Sequence, residues 1–279
     1  MFNLVVATRN RSIELERLLK SILLPGNFSE ISKIIIVDQS NIENFDKNSI
    51  TINNLYSEKN IVEVMHIHDN NTGLSKARNL GLKYIDFNGY LCFPDDDCWY
   101  PENFFLQMRE QFEKMRSAFL LTYYREEKID RPEFKTDYDI KWHNLMSTAF
   151  NSVSIFINLS KVQQKSLVFD ENIGAGTSLP YGEDILFSYK MFYLYGQVRK
   201  ISQPFVYHPV VRGTPMYIES AFASSYVMLH PDLGLRFKLL FIASFARTVY
   251  KSIFSSKDRL ILKGKVKGLV NKFTKFIAY

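Results

Sequence analysis

The chain has 279 residues, of which 46% are hydrophobic and 23% charged, and this composition predicts a globular protein with a sizeable core. The length suits one large α/β domain with an appendage. The net charge of +6 comes from the end of the chain, because residues 232–279 contain eleven Lys or Arg and two Asp or Glu. A basic charge confined to one end argues against a nucleic-acid-binding domain, which more often carries it on a face of the folded domain.

The first residues show no pattern of a secretory signal, since residues 3–8 predict a strand that begins almost at once. No apolar run reaches the roughly 18 residues that a membrane span requires. Cys92 and Cys98 form no CxxC pair, and we expect two reduced thiols with a packing role. Together these features predict a cytoplasmic protein.

Short β-branched runs alternate with helical patterns along the first half of the chain. The alternation predicts an α/β fold with an open, mostly parallel sheet, right-handed crossovers and flanking helices, in which functional residues lie at the carboxyl ends of the strands. In chain order, the predicted elements are a strand at 3–8, a helix capped by Ser12, strands at 33–38 and 61–67, a helix at 74–85, a strand that enters Asp95, and a helix opened by Pro101.

Polar side chains follow each of the four predicted strands, so we expect them at one edge of the sheet. Asp38 is the strongest single case, because it directly follows the apolar run 34–37. The alternative for Asp38 is a role as the cap of a turn or helix. The other candidates are Thr8, Arg9 and Arg11 after the first strand, Asn70, Asn71 and Gly73 after the third, and Asp95, Asp96 and Asp97 after the fourth.

The three consecutive aspartates follow the apolar run 90–94, and adjacent carboxylates repel one another unless a cation relieves the repulsion. Mg²⁺ and Mn²⁺ prefer carboxylate oxygens, so the triplet predicts a divalent metal site. Along an extended chain Asp95 and Asp97 point to the same side, whereas Asp96 points elsewhere. The alternative is an acidic loop at the protein surface.

Four segments, in this order along the chain, resemble the family 2 glycosyltransferases, which have the GT-A fold. The resemblance covers about residues 1–210, and beyond residue 115 it rests on Gly182, Glu183 and Asp184. The four segments are Val5–Arg11, Ile35–Ser40, Gly73–Gly81 and Phe93–Asp97.

The resemblance implies an inverting transferase with Mn²⁺ or Mg²⁺ as its cofactor. The donor would be a nucleotide-diphosphate sugar, with a UDP-sugar as the first choice. The acceptor would be a hydroxyl of a glycan or a lipid-linked saccharide, in the synthesis of a bacterial surface polysaccharide such as capsule or O-antigen. The QxxRW motif of processive members is missing from the sequence, which favours single addition. Cys98 stands where the family usually has a fourth aspartate, so the acidic ligands come from the triplet alone.

The resemblance also implies roles for individual residues. Asp95 and Asp97 would hold the metal, and His208 would be a further ligand or, alternatively, a structural histidine. Arg78 would reach the base or the diphosphate, and the alternative is a solvated charge on a helix. The donor-binding residues that the resemblance implies are Ala7, Thr8, Arg9, Arg11, Asp38, Gly73, Arg78, Asp95 and Asp96.

An inverting transferase requires a base that takes the proton of the acceptor hydroxyl during attack. Asp184 is the first candidate and Glu183 the second, because this pair precedes a predicted helix at 185–195 and the family's base commonly occupies the second acidic position of such a pair. The alternative is that an acidic pair in the first turn only stabilises the helix dipole. We expect the segments 128–139 and 172–182 to form the acceptor side.

We expect three regions: a nucleotide-sugar-binding half at 1–115, an acceptor-binding half at 116–230, and a basic amphipathic helical tail at 231–279. The tail predicts a peripheral protein that binds the anionic inner face of the plasma membrane. The alternative is that its helices pack on the catalytic domain. The apolar positions that predict the amphipathic faces are Leu235, Leu239, Ile242, Ala246, Val249, Ile253, Leu262, Val266, Leu269, Phe273 and Phe276.

Two other classes of protein stay open from the sequence. A sugar nucleotidyltransferase would share the fold and the metal, but we would expect a GxGxR-type segment where this chain has Ala7–Arg11. A noncatalytic GT-A-like binding protein is the second class, and the intact Asp38, Asp95, Asp97 and Asp184 argue against it. The remaining histidines have no spacing typical of a zinc site: His66, His68, His143 and His230.

Overall fold

The computed structural model describes residues 1–57, 62–125, 136–209 and 217–277, with side chains described except at 217–219 and 271–277. Within these ranges it contains eight strands and eight α-helices. The strands are β1 Phe2–Thr8, β2 Ile31–Asp38, β3 Glu63–His68, β4 Tyr90–Cys92, β5 Phe119–Arg125, β6 Tyr138–Asp139, β7 Ile155–Asn158 and β8 Val198–Tyr207. The helices are α1 Ser12–Ile22, α2 Ile42–Tyr56, α3 Leu74–Gly81, α4 Phe104–Met115, α5 Glu183–Tyr195, α6 Tyr217–Met228, α7 Leu235–Ser252 and α8 Ser256–Ile277.

The chain divides into two compact units. The first comprises Met1–Phe169 and Tyr195–Val211, and the second comprises Asp170–Leu194 and Arg212–Tyr279. The first unit contains the whole sheet and helices α1–α4, whereas the second contains α6–α8 and nearly all of α5. After the chain has entered the second unit, it returns to the sheet of the first unit at β8. The regions expected at 1–115, 116–230 and 231–279 stay a prediction.

All eight strands form one sheet in the order β3-β2-β1-β4-β7-β5-β8-β6. β1 runs parallel to β2 and β4, β2 to β3, and β5 to β8. β7 runs antiparallel to both β4 and β5, so β4, β5 and β8 point in the same direction. The predicted mostly parallel open sheet is confirmed, and the carboxyl ends of β1–β5 and β8 lie at the same edge.

The core of the first unit forms around β1 and β2, which are buried along nearly their whole length. Strands made of continuous runs of Val and Ile are typical of a parallel sheet whose two faces are both covered by other elements. α3 approaches this sheet closely at Gly81, where an added Cβ atom would lie 2.5 Å from Val5 Cγ1. Glycine at this position therefore lets α3 pack directly on the strands. Cys92 and Cys98 are free and buried in the same core, which confirms their packing role.

Two predicted helix starts are wrong. Ser12 is the first residue of α1 rather than its cap, and its buried hydroxyl has no hydrogen-bond partner among the described residues. Arg11 occupies the cap position, with φ −131° and ψ 55°. α4 begins at Phe104 instead of Pro101, because Asn103 has a left-handed backbone with φ 59° that interrupts a helix before that point.

The remaining differences concern lengths and one missing helix. α3 ends at Gly81, and the predicted continuation to residue 85 is a turn held by the bonds from Lys83 N to Leu80 O and from Tyr84 N to Gly81 O. α2 has no counterpart in the prediction. The predicted third strand corresponds to β3, and its first predicted residue, Ile61, lies outside the described residues.

In the second unit, α8 packs against α6 and α7. The contact with α6 is close, since a Cβ atom added at Gly268 would lie 2.5 Å from Ser225 Cβ. The tail is helical, as predicted, and its helices belong to this unit. The side chains of Phe273 and Phe276 lie outside the described residues. In the described parts of the chain, none of the helices combines the length and the apolar character needed to cross a bilayer.

Candidate active site at the carboxyl edge of the sheet

The carboxyl ends of β4 and β8 bring together three side chains that can bind a metal ion. One ligand atom from each of Asp95, Asp97 and His208 lies within 4.8 Å of the other two. The two aspartates lie in the loop after β4, and His208 directly follows β8. The shared direction of these strands explains why residues more than a hundred positions apart meet here. These are the three residues that the sequence suggested as metal ligands.

Asp95 is held by two neighbours that are themselves buried. The Arg78 guanidinium donates to Asp95 Oδ1 from Nη2 over 2.9 Å, and the Ser152 hydroxyl donates to the same oxygen over 3.0 Å. Arg78 is only 1% exposed and lies over the Phe169 ring, so it is not a solvated helix charge. Both donors fix the carboxylate before any ligand arrives.

Asp96 does not belong to the cluster of three possible metal ligands, and it contacts residues of the first strand and the loop after it. It accepts a 2.9 Å hydrogen bond from the Thr8 hydroxyl and a 3.1 Å bond from Arg11 Nη1. Burial, together with the charges of Asp97 and Asp95, raises the pKa of Asp96 to about 6 despite these donors. Asp96 therefore links the loop after β1 to the loop after β4.

Asp97 lies between Arg11 and His208. Arg11 Nη1 donates to its Oδ2 over 2.9 Å, and His208 Nε2 lies 3.1 Å from its Oδ1. Burial raises the pKa of Asp97, but His208 and Arg11 more than offset burial and lower it from its ordinary value. Burial lowers the pKa of His208, and the Asp97 and Asp95 carboxylates outweigh burial and raise it. Each group thus favours the charged state of the other.

Contacts between Trp99, Tyr207 and Arg17, called the clamp below, fix the positions of Asp97 and His208 relative to each other. Trp99 and Tyr207 exchange two backbone hydrogen bonds of 3.0 Å, and their rings stack with centroids 5.4 Å apart. Arg17 covers the Trp99 ring at 4.0 Å and donates to the backbone oxygen of Asp97 over 2.6 Å. The clamp joins the end of the acidic loop to the last residue before His208.

The residues at this edge fit a divalent cation. Asp97 Oδ1 is buried and faces His208 Nε2 at 3.1 Å, and both atoms belong to the cluster of three possible ligands. A divalent cation bound among these atoms would relieve the repulsion between the neighbouring carboxylates. Two carboxylates and one imidazole are a donor set that Mn²⁺ and Mg²⁺ can use, with Mg²⁺ less suited to nitrogen.

Asp38 lies at the end of β2 but is fully buried. Its oxygens accept hydrogen bonds from Ser40 N at 2.9 Å, Asn48 Nδ2 at 2.7 Å and His66 Nε2 at 3.1 Å. Burial raises the pKa of Asp38, but these three donors more than offset burial and lower it. A nucleobase would reach this carboxylate only by replacing one of its present partners.

The other predicted donor-binding residues line the same edge. Ala7 forms an isolated β-bridge with Asp95, and the Arg9 side chain is exposed. Gly73 caps α3 with φ 135°, a backbone that L side chains rarely adopt, and its N–H donates to Gln39 Oε1 over 3.0 Å. Gln39 in turn donates to Asp69 Oδ2 over 3.0 Å. This network fixes the loop between β3 and α3.

Glu183 and Asp184 lie in the second unit, in the first turn of α5. Gly182 precedes them with φ 101°, and its carbonyl accepts the first helical hydrogen bond from Leu186 N at 2.9 Å. The presentation of both carboxylates at a helix N-terminus is as expected. Their catalytic role stays a prediction.

Three residues at this edge were missed by the sequence reasoning. Ser152 bonds Asp95, Arg17 bonds the backbone of Asp97, and His66 bonds Asp38. Ser152 had no signal, because its segment, a single 3₁₀ turn at Ser152–Ser154, has no strand or helix pattern. Arg17 and His66 each stand in a correctly predicted element, but neither side chain has a motif around it.

Comparison with known proteins identifies the family. The profile of Glycosyl transferase family 2 matches residues 4–170, which is more than half of the chain. This range contains the three aspartates, Asp38 and Arg78. No curated protein matches the chain significantly in sequence.

Solved structures share the fold at low sequence identity. S. aureus TarS 1-349 is 18% identical with a TM-score of 0.60, over 84% of this chain and 66% of that one. The longer S. aureus TarS chain is 16% identical with a TM-score of 0.63, over 92% of this chain and 44% of that one. Mannosyltransferase PcManGT from Pyrobaculum calidifontis, in complex with GDP-Man and Mn²⁺, is 14% identical with a TM-score of 0.58. The match covers 97% of this chain and 87% of that one. The present chain thus spans less than half of the longer TarS.

Proposed function

Because the chain belongs to glycosyl transferase family 2, we propose that it is a metal-dependent, inverting glycosyltransferase that moves a sugar from a UDP-sugar to a hydroxyl group. The acceptor would be a glycan or a lipid-linked saccharide in the synthesis of a bacterial surface polysaccharide. S. aureus TarS 1-349 has been solved with UDP-GlcNAc and with UDP, which supports the nucleotide proposed here.

The convergence of Asp95, Asp97 and His208 carries this proposal. Three ligand atoms within 4.8 Å of one another form a site that a diphosphate-bound cation would complete. A bound divalent cation would neutralise the charge that develops on the leaving diphosphate. Asp95, Asp97 and His208 would hold that cation.

The remaining residues of this edge would bind and orient the donor. Arg11 is half exposed while it pairs with Asp96 and Asp97, so the exposed side of its guanidinium can also donate to a phosphate oxygen. Arg9 adds a second exposed cation at the end of β1. Thr8, Asp38 and Gly73 would shape the base and ribose site through the loops after β1, β2 and β3.

Inversion follows from a single displacement. The acceptor oxygen forms a bond to the anomeric carbon as the bond from that carbon to the phosphate oxygen breaks, and the electron pair of that bond goes to the nucleoside diphosphate. Asp184 would take the hydroxyl proton at the same time, with Glu183 as the alternative base. Attack opposite the leaving group inverts the anomeric centre.

We also propose a peripheral location at the inner face of the plasma membrane, where a lipid-linked acceptor is exposed. The basic helical tail supports this location, because each basic residue close to an anionic bilayer contributes on the order of 1 kcal/mol to binding.

A binding and product assay tests the function. The full-length protein should bind UDP-sugars only with Mn²⁺ or Mg²⁺ and should release UDP on slow hydrolysis of the preferred donor. Release of pyrophosphate from UTP and a sugar phosphate would instead identify a nucleotidyltransferase. Binding of a UDP-sugar without release of UDP, whichever acceptor is added, would identify a noncatalytic protein.

A further inference from the structure

α7 has two apolar faces. One side of the helix is buried in the second unit, where Phe237 packs 5.1 Å from the Tyr189 ring and Phe241 is 2% exposed. The opposite side carries large apolar side chains that face solvent. They are Leu235 at 69% exposure, Leu239 at 55%, Ile242 at 60%, Val249 at 41%, Tyr250 at 67% and Ile253 at 65%.

The exposed residues form one continuous row. At 100° per residue, the row from Leu235 to Ile253 lies within about 50° of a single line along the helix, and the buried Phe237 and Phe241 lie on the far side. Water-exposed apolar rows of this length are uncommon on soluble monomers and mark a surface that binds something.

Basic side chains border this row on both sides. Arg236 and Arg247 lie along one border, and Lys238 lies along the other. Arg236 and Arg247 are exposed, and α7 contains no Asp or Glu. An apolar centre with basic borders is the arrangement by which a helix lies in the interface of an anionic bilayer.

α8 differs from α7 although it holds more lysines. Lys265 is 6% exposed. Its ammonium donates to the backbone carbonyl and the hydroxyl of Ser244 and to the Thr248 hydroxyl, all on α7. Gly268 packs against Ser225 of α6. These contacts use α8 as a structural helix of the second unit, and they orient α7 with its apolar row outward.

We propose that the outward row of α7, and not the lysine-rich α8, docks the protein on an anionic lipid surface. This inference rests on the proposed function in one respect, which is the choice of an anionic membrane as the partner. A second copy of the protein fits this surface less well. The row on a helix of this length covers roughly 27 by 10 Å, which is much less than the about 800 Å² that a stable interface buries on each partner. A bilayer needs no matching surface of that size.

Vesicle co-sedimentation of the full-length protein tests this proposal. The double variant Leu239→Gln/Ile242→Gln should lower partitioning onto phosphatidylglycerol–phosphatidylcholine vesicles at least tenfold, since two inserted side chains lose their apolar contact. The matched control is Val266→Gln/Val270→Gln on α8, whose side chains are 43% and 57% exposed. This control should change partitioning less than twofold.

Salt and lipid composition sharpen the test. Binding of the native protein should decrease but persist when NaCl is raised from about 0.1 to about 0.5 M, because apolar insertion is not screened. Binding to pure phosphatidylcholine should be weaker than to the anionic vesicles.

Several outcomes would overturn the proposal. The native protein could fail to sediment, the two double variants could lose equal amounts of binding, or salt could release the protein completely. A native dimer that becomes monomeric in Leu239→Gln/Ile242→Gln without lipid would make the row a subunit interface. Donor binding with Mn²⁺, measured on the same proteins, should be unchanged, so a failed transferase assignment and a failed docking assignment give different results.

Discussion

Two carboxylates follow buried parallel strands of the same sheet, yet their surroundings differ. Asp38, the last residue of β2, is fully buried and accepts three hydrogen bonds, from Ser40, Asn48 and His66. Asp97, in the loop after β4, is partly exposed, and its Oδ1 faces His208 Nε2 at 3.1 Å in a group that also contains Asp95. The same sequence pattern therefore produces a carboxylate enclosed by hydrogen-bond donors at one strand end and a carboxylate grouped with other possible metal ligands at another, and the second arrangement is the one that fits a cation.

The largest effect is expected from Asp97→Asn, which removes a ligand charge while keeping the side-chain shape. Transfer should fall by about 10³-fold and metal-dependent donor affinity should fall with it, because the leaving diphosphate loses its counter-charge. The melting temperature should change little. Steady-state rates with and without chelator decide this prediction, and a variant that transfers like the native protein would remove Asp97 from the metal site.

A smaller effect is expected from Asp184→Asn in the second unit. The amide cannot take the acceptor proton, so kcat should fall by about 10²-fold while donor binding with Mn²⁺ persists. Glu183→Gln is the matched control and should retain most of the turnover. If the control alone abolished activity, the base would be Glu183.

Asp38→Asn tests the carboxylate that is enclosed by hydrogen-bond donors. The new amide would direct N–H groups at a site whose neighbours, Asn48 and His66, already donate, and we expect a loss of about 1–3 kcal/mol in the free energy of unfolding. Urea titration followed by circular dichroism measures the loss. Unchanged stability together with lost donor binding would contradict the structural role and make Asp38 a direct ligand of the base.

The smallest effect is expected from Ser152→Ala, which removes one of the two donors that hold Asp95. Mn²⁺ affinity should fall about tenfold, because a displaced carboxylate binds the cation less well. Ser154→Ala is the matched control, since this neighbouring buried serine bonds the Asn151 carbonyl instead. Calorimetry should show the loss in the first variant only, and equal losses in both would indicate a general effect on the 3₁₀ turn.

The sheet and the edge that holds the three aspartates were predictable because their signals are local. β2 and the strand before Asp95 are continuous apolar runs that end in carboxylates, and the direction of parallel strands brings such ends together. His208 could be suggested because a short strand-like run precedes it. The helix α2 could not, since only Asn48, Ile52 and Tyr56 of its fifteen residues are buried and its other face is rich in asparagine.

The details of the site depend on distant neighbours and had no local signal. Whether Asp38 is satisfied depends on Asn48 and His66, and Asp95 depends on Ser152, 57 positions away. In α7 the sequence shows apolar residues on both sides of the helix. Only the packing of Phe237 and Phe241 decides that the row containing Leu239 and Ile242 faces outward.

The most direct test of the account is a calorimetric titration of Mn²⁺, with UDP present, into the native protein, Asp97→Asn and Asp38→Asn. We expect one saturable site in the native protein, no measurable site in Asp97→Asn, and a site of near-native affinity in Asp38→Asn at a temperature where that variant is folded. Native-like Mn²⁺ binding by Asp97→Asn, or its loss in folded Asp38→Asn alone, would contradict the assignment of the metal site to the edge formed by β4 and β8.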